Sequence, residues 1–339
     1  MRLAFLYPLF SIYRYTNGLF LVGYDFTMLN SHFTRALTPL TSVKKQLVLA
    51  YSGGLDSHVL LHLLAQFKQA NPQHEYLAVH VHHGLSQDAD TWLSHCQVTA
   101  EQLGIAFVAE KVQLQVVNRE SLEANARAAR YQAIAKHLCV DSVLLLGQHL
   151  DDQLETFLLQ LKRGAGVKGL SAMAAVMPFS AVEGAQICRP LLSVSQLQLQ
   201  QYAKSQQLIW VEDESNQDQG YDRNFLRHHI IPELKQRWPN IAKTVHRTAE
   251  LCAEQQSLAD EVAAEDLNKV WRLHDSLDIT ALALLSLARR NNVMRYWLAR
   301  QGEIMPSRQH LDKLWHEVAN ASIDANPQLL WQGGQFRRY

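Results

Sequence analysis

Short apolar segments alternate with amphipathic segments between about residues 46 and 164. The apolar segments have the length and composition of buried strands, and leucines recur at three- and four-residue spacing after the first of them. Four strands are predicted in this way, at residues 46–50, 76–83, 107–114 and 142–149. Strands separated by helices of this length form βαβ units, so we expect an α/β fold with a parallel sheet and helices on both faces.

The pattern changes in the second half of the chain. A short strand is predicted at residues 187–192, and from about Asn224 onward nearly all of the sequence has helical period until QLLWQGGQF near the end. With 339 residues the chain is long enough for two domains. We predict a parallel-sheet domain over residues 28–222 and a smaller, mainly helical domain over residues 223–327. We interpret residues 328–339 as the start of a truncated C-terminal hairpin or domain, whose second strand is incomplete.

Charge is distributed unevenly although the formal net charge is zero. A zero balance gives no global indication of a nucleic-acid partner. Lys and Arg nevertheless outnumber acids by six to one in residues 223–247 and by six to two in residues 289–313. We therefore expect basic surface on the second domain.

The first 27 residues differ from the rest, since they contain eight aromatic side chains. Their apolar runs are too short for a bilayer, which needs roughly 20 residues, and no signal-peptide cleavage pattern follows. We interpret residues 1–27 as a non-native extension, with Met28 as an alternative start. The four cysteines are dispersed and form no CxxC pair, which favours a reducing cytoplasm.

The loop SGGLDS, residues 52–57, follows the first predicted strand and precedes a helix. Glycines allow a close approach of the backbone to an anion, and the start of a helix favours negative charge. Asp56 would repel phosphate unless a divalent cation lay between them, so the loop predicts a nucleotide site with Mg²⁺. A plain strand-turn-helix corner, with Asp56 as the helix cap, is the alternative.

The segment GQHLDDQLET, residues 147–156, ends the fourth predicted strand. The three-residue spacing places Asp152 and Glu155 on one face of a helix start, where they could simply complement the helix dipole. Because the carboxyl ends of parallel strands meet at one edge of a sheet, this segment should open onto the same edge as the loop SGGLDS. The two acids could then hold a metal or bind a cationic substrate.

Three further polar segments are candidates for parts of a binding site. His82 and His83 in HVHHG are better explained as turn residues of a nucleotide pocket than as metal ligands. Arg127 and Arg130 in EANARAARY share a helix face and could bind phosphate oxygens, or pair with Glu123. Residues 210–234 mix acids, Asn and Arg, as in a binding loop or an exposed linker.

Taken in order, these motifs resemble those of the tRNA(Ile)-lysidine synthetase family: SGGLDS, HVHHGL, EANARAARY, GQHLDDQLET, RPLL and WVEDESNQDQGYDRNFLRHHIIP. The loop SGGLDS resembles the PP-loop of N-type ATP pyrophosphatases, which cleave ATP to AMP and pyrophosphate and have an adenine nucleotide α-hydrolase-like fold. The resemblance runs from about residue 46 to the end of the chain. Gln148 is a departure, because the family usually has a second histidine there, although the acids remain.

The resemblance implies a two-step ligation on isoleucine tRNA with a CAU anticodon. ATP first adenylates the carbonyl oxygen at position two of the wobble cytidine and releases pyrophosphate. Free lysine then attacks through its side-chain amine and expels AMP, which gives lysidine. Activation must come first because the carbonyl of cytosine has no usable leaving group.

The resemblance also implies roles for individual residues. The ATP-binding loop would consist of Ser52, Gly53, Gly54, Leu55, Asp56 and Ser57. Mg²⁺ would be held by Asp56 and Asp152. The ammonium group of lysine would be bound by Asp152 and Glu155, one of which would accept its proton.

Arginines would complete the implied site. Arg127 or Arg130 would stabilise the α-phosphate, and Arg130 is our candidate for a catalytic arginine. Arg223, Asn224 and Arg227 are candidates for contact with tRNA or nucleotide. The basic helices after residue 224 would bind the tRNA backbone in a salt-dependent way.

Two other functions are compatible with parts of the sequence. A tRNA thiolase of the same superfamily also adenylates a base, but it would need cysteines near the site, and none of the four lies on a motif loop. A non-catalytic ATP- or tRNA-binding homologue would fit a truncated end. The sequence leaves open whether the chain forms a homodimer.

Overall fold

A computed structural model describes residues 27–82, 88–112, 119–212, 220–302, 306–322, 325–331 and 334–338. The predictions for residues 1–26, for His83 and for the segment 213–219 lie outside the described residues.

A six-stranded sheet forms the centre of the first half of the chain. Its strands are β1 Gln46–Ala50, β2 Glu75–His82, β3 Ala106–Lys111, β4 Val143–Leu145, β5 Val176–Pro178 and β6 Gln186–Cys188. The spatial order is β3-β2-β1-β4-β6-β5, and all neighbours are parallel except β5, which pairs antiparallel with β6. The predicted α/β fold with a mainly parallel sheet is thus confirmed.

Helices cover both faces of this sheet. They are α1 Thr27–Leu37, α2 Leu55–Ala70, α3 Ala89–Gln102, α4 Arg119–Ala135, α5 Leu150–Lys162, α6 Val167–Leu170 and α7 Gln196–Ser205. Because side chains alternate along a strand, Leu47 and Leu49 enter the core formed with α1, α2 and α7, while Val48 enters the core formed with α4.

The second half is mainly helical, as predicted. Its elements are α8 Asp222–Phe225, a π-helical segment Leu226–Ile230, α9 Ile231–Arg237, α10 Ile241–Val270, β7 Trp271–Arg272, β8 Ser276–Leu277, α11 Ile279–Ala283, α12 Leu287–Arg300, α13 Arg308–Lys313, a second π-helical segment Leu314–Ala319, β9 Gln328–Trp331 and β10 Gly334–Arg337. The helices α5, α9 and α10 share a small apolar core that joins the two halves, formed by Leu150, Leu154, Ile231 and Ala242.

Several predicted boundaries were wrong. The fourth strand ends at Leu145 because the residues after it turn to begin α5. The helical period predicted after Asn224 is interrupted after Val270, where α10 ends and the two-residue strands β7 and β8 pair. Near the end of the chain, the four residues of β10 pair with those of β9, and the interpretation of residues 328–339 as the start of a truncated hairpin or domain stays a prediction.

No helix within the described ranges is long and apolar enough to cross a membrane.

Candidate active site

The crevice between β1 and β4 brings the two principal motifs together. The strand order reverses at this point, because β2 and β3 follow on one side of β1 whereas β4 and β6 lie on the other. Open parallel sheets bind ligands at such a switch point, outside the carboxyl ends of the strands. The loop 52–57 follows β1 and the segment 147–149 follows β4, as the sequence predicted.

The loop 52–57 is held by its own side chains. The hydroxyl groups of Ser52 and Ser57 lie 3.0 Å apart, and the hydroxyl of Ser57 donates to the carbonyl of Gly54. Gly53 has a φ of +89°, a conformation that L side chains rarely adopt. The helix α2 begins directly afterwards at Leu55, so its free N–H groups face the crevice.

His149 lies between the acids of the two motifs. Its Nε2 is 3.5 Å from Asp56 Oδ2 and 3.6 Å from Asp152 Oδ2, and the residue is buried. Burial by itself lowers the pKa of His149, but the carboxylates of Asp152, Asp56 and Asp151 outweigh it and raise the pKa to about 9. The capping hydrogen bond from the Asp151 N–H to His149 Nδ1 needs the neutral ring and opposes that shift.

Glu155 and Asp152 bind a guanidinium group. Arg227 donates from Nε to Glu155 Oε1 at 2.7 Å, and from Nη2 to Glu155 Oε2 at 3.0 Å and to Asp152 Oδ1 at 3.2 Å. Arg223 Nε lies 3.6 Å from Glu155 Oε2. Burial raises the pKa of Glu155 above its ordinary value, even though Arg227 opposes the shift. The acids that were predicted to bind a cationic substrate therefore already bind a cation of the protein.

The helical segment 222–237 lies along α5 and makes further ion pairs with it. Lys235 bonds to the buried carboxylate of Asp151, and Lys162 on α5 bonds to Asp222. Asp151 also accepts the backbone N–H of Gln196 at 2.7 Å. Part of the basic character of residues 223–247 is thus used inside the protein.

Sequence reasoning missed His149, Asp151 and Lys235. The first two stand inside the motif GQHLDDQLET, whose closely spaced His and Asp could have indicated them. Lys235 is one of several basic residues in its segment, and no local pattern distinguishes it.

The remaining predicted residues lie around this cluster. Arg127 and Arg130 are exposed on α4, and Arg127 donates to the hydroxyl of Tyr131 at 3.1 Å. Asn224 is buried on α8. His82 is the last residue of β2, and its Nε2 atom lies 3.4 Å from Asp90 Oδ1.

The residues around Asp56 fit a magnesium ion better than a tightly bound transition metal. Within the described ranges, the structure contains no group of three or more His, Cys, Asp or Glu arranged to hold a metal. Asp56 Oδ1 is nevertheless buried with no hydrogen-bond partner among the described residues. Mg²⁺ commonly takes one or two carboxylates and completes its shell with phosphate and water.

Comparison with known proteins is consistent with this geometry. A model described as a PP-loop domain matches residues 27–234, and one described as a TilS substrate binding domain matches residues 277–339. The structure of the U34-tRNA thiolase NcsA from Methanococcus maripaludis is similar in fold, with a TM-score of 0.56 and 17% identity over 67% of this chain and 79% of that chain. The fold and the loop thus define a PP-loop enzyme that uses ATP.

Relatives narrow the class further. The tRNA(Ile)-lysidine synthase of Vibrio campbellii is 47% identical over 92% of this chain and 71% of its own length, and that of Escherichia coli O157:H7 is 50% identical over 87% of this chain and 68% of its own length. The chain belongs to the tRNA(Ile)-lysidine synthase family, a family of ATP-using ligases. The thiolase alternative is not favoured.

Proposed function

We propose that this protein ligates lysine to the wobble cytidine of isoleucine tRNA with a CAU anticodon and so forms lysidine. The observation that carries the proposal is the carboxylate pair of Asp152 and Glu155, which binds a cationic nitrogen group beside a phosphate-binding loop. Family membership supports the same reaction.

The reaction has two bond exchanges. The carbonyl oxygen of the base attacks the α-phosphorus of ATP, and the bond from that phosphorus to the bridging oxygen breaks, which releases pyrophosphate. The lysine side-chain nitrogen then bonds to position two of the base, and the carbon-oxygen bond breaks to release AMP. The ammonium group must lose a proton before it attacks.

The loop 52–57 would bind the pyrophosphate part of ATP through its backbone N–H groups and the hydroxyls of Ser52 and Ser57. Asp56 and Asp152 would hold Mg²⁺, with the unpartnered oxygen of Asp56 as the first ligand. When bound, Mg²⁺ would offset the charge of the phosphates as the α-phosphorus is attacked. Arg127 or Arg130 would contact the α-phosphate.

Asp152 and Glu155 would bind the ammonium group of lysine in place of Arg227. Glu155 is the better proton acceptor, because burial raises its pKa toward the range in which a carboxylate accepts protons efficiently. Arg223, Asn224 and Arg227 lie on the segment that covers these acids, so displacement of Arg227 would place them beside the bound tRNA or nucleotide.

The helical half would bind the tRNA backbone. Lys243 and Arg247 on α10 and Arg300 on α12 are exposed, whereas Arg223, Arg227 and Lys235 face acids. We propose a cytoplasmic location, where the tRNA substrate is found. Homodimer formation stays a prediction, and the elution volume of the purified chain checks it.

The test is transfer of labelled lysine to purified isoleucine tRNA with a CAU anticodon. We expect ATP-dependent transfer, with AMP released in equal amount, and no stimulation by sulfide. Glu155→Gln should abolish transfer but keep ATP binding, whereas Asp152→Asn should abolish transfer and also weaken the binding of ATP with Mg²⁺. The control for Glu155→Gln is Glu75→Gln, at the opposite edge of the sheet, where Glu75 pairs with Lys44. Intact ATP binding without any transfer by the parent protein would overturn the proposal in favour of a non-catalytic homologue.

A further inference from the structure

Arg189 is a buried cation that follows β6 directly. It is 4% exposed, and arginine is rarely buried to this extent without an acidic partner. Its Nε donates to Gln148 Oε1 at 3.1 Å and its Nη1 to the carbonyl of Ala174 at 2.7 Å. Both acceptors are neutral, and the structure places no carboxylate of the described residues in an ion pair with this guanidinium.

Other cations of this protein have a buried carboxylate as their partner, which Arg189 does not have among the described residues. Each of three such cations faces a carboxylate: Arg227 at Glu155, Lys235 at Asp151 and Arg289 at Asp266. Neutral acceptors satisfy some of the five N–H donors of a guanidinium but leave its charge uncompensated. An anionic ligand would supply the missing charge.

A second guanidinium group lies near the first. Arg127 donates to the hydroxyl of Tyr131 at 3.1 Å and stacks 5.1 Å from the centre of its ring. Burial and the charge of Arg127 lower the pKa of Arg189, whereas the nearby hydroxyl of Tyr131 opposes that shift. Two like charges on either side of one tyrosine repel each other, and an anion that binds both would remove that repulsion.

The two arginines lie beside the proposed reaction centre. The strands β4 and β6 are parallel neighbours, so Arg189 and Gln148 occupy the same carboxyl edge of the sheet. Gln148 precedes His149, which reaches both Asp56 and Asp152. A phosphate group bound here would lie next to the crevice, on the side of the sheet that α4 covers.

We propose that Arg189 and Arg127 form a phosphate-binding site with Tyr131 between them, at the edge of the crevice. The ligand is a phosphate group of one of the two substrates, either the α-phosphate of the nucleotide or a backbone phosphate of the tRNA next to the modified base. The proposal rests on the proposed function for the identity of these ligands. Phosphate binding as such does not depend on lysine transfer.

The experiment measures binding rather than turnover, so it succeeds or fails independently of lysidine formation. The dissociation constants of an α,β-methylene ATP analogue, of adenosine and of tRNA transcript are compared for the parent chain, Arg189→Met and Arg189→Lys. Lys44→Met is the control, because it removes one charge at the amino edge of the same sheet, where Lys44 is exposed. Thermal melting shows that each variant is folded.

We expect Arg189→Met to weaken the binding of one phosphate-containing ligand about tenfold and to leave adenosine binding unchanged. Arg189→Lys should retain part of the affinity for that ligand. A loss confined to the ATP analogue identifies the α-phosphate as the ligand. A loss confined to tRNA, with the slope of log Kd against log salt reduced by about one, identifies a backbone phosphate. Unchanged affinity for both ligands in a folded Arg189→Met variant would overturn the proposal. So would an equal loss of adenosine binding, because it would mean that Arg189 only supports the loop at Ala174.

Discussion

Arg227 holds the carboxylate of Glu155 in a two-point hydrogen bond across a sequence separation of 72 residues. Glu155 is 1% exposed, so its charge depends on this partner. Removal of one member of a buried ion pair leaves the other without compensation, which commonly costs several kcal/mol.

We predict that Glu155 and Arg227 are energetically coupled. Arg227→Met and Glu155→Gln should each reduce the free energy of unfolding by about 3 kcal/mol, and the double variant should lose at least ~1 kcal/mol less than the sum. Urea unfolding of the four proteins measures the coupling. Glu75→Gln, in an exposed pair, should change stability by less than about 1 kcal/mol. If the double variant lost as much stability as the two single variants together, Glu155 and Arg227 would not be energetically coupled.

Gly53 and Gly54 should respond differently to the same substitution. A Cβ at Gly53 would lie 2.7 Å from Cys96 Sγ, on a backbone with a φ of +89°, whereas a Cβ at Gly54 would make only ordinary contacts at 3.7 Å or more. We expect Gly53→Ala to destabilise the protein without ligand by at least ~1 to 2 kcal/mol and Gly54→Ala by much less. Thermal melting measures both.

Adding Cys96→Ala to Gly53→Ala separates the two causes. This second change removes the close contact but not the left-handed backbone, so we expect only partial recovery of the melting temperature. Full recovery of the melting temperature would show that the left-handed backbone at Gly53 contributes little to the loss of stability.

The pair of Arg289 and Asp266 should stabilise the helical half more than a similar surface pair. Asp266 is fully buried on α10, and Arg289 on α12 binds both of its oxygens, at 2.5 and 2.7 Å. Arg289→Met should lower the free energy of unfolding, because the buried carboxylate of Asp266 would lose its main partner. Arg272→Met breaks a pair of 2.7 Å with Asp278, whose side chain is 27% exposed, and it should lower the free energy of unfolding less. Equal losses in chemical unfolding would contradict the role of burial.

The cysteine beneath the loop should be chemically inert. Burial raises the pKa of Cys96 to about 12, so at pH 8 the thiol stays protonated and is not nucleophilic. Cys139 is exposed on the surface. Brief treatment with iodoacetamide at pH 8, followed by peptide mass spectrometry, should find Cys139 modified and Cys96 unmodified. Rapid modification of Cys96 in the folded protein would show that the loop opens readily.

The sequence by itself determined the alternation of strands and helices and the position of both principal motifs. The run QLVLA is apolar enough to be buried on both faces, and the glycines after it permit a tight turn. Since a parallel sheet brings the carboxyl ends of its strands to one edge, a shared edge for the loop 52–57 and Asp152 followed from the alternation of elements. Their proximity depends on the pairing of β1 with β4. Short strands such as β7 and β8 were not predicted, because a strand of two residues is too short to show an alternation of apolar and polar residues.

Only the tertiary structure decided which charges meet. The motif GQHLDDQLET indicated a cation site, but it did not show that Arg227 is the cation there or that Lys235 binds Asp151. These contacts depend on how the segment 222–237 packs along α5, through the apolar core of Leu150, Leu154 and Ile231. Local sequence sets helix faces and strand edges, whereas the partner of a buried charge is set by packing between segments that are distant in the chain.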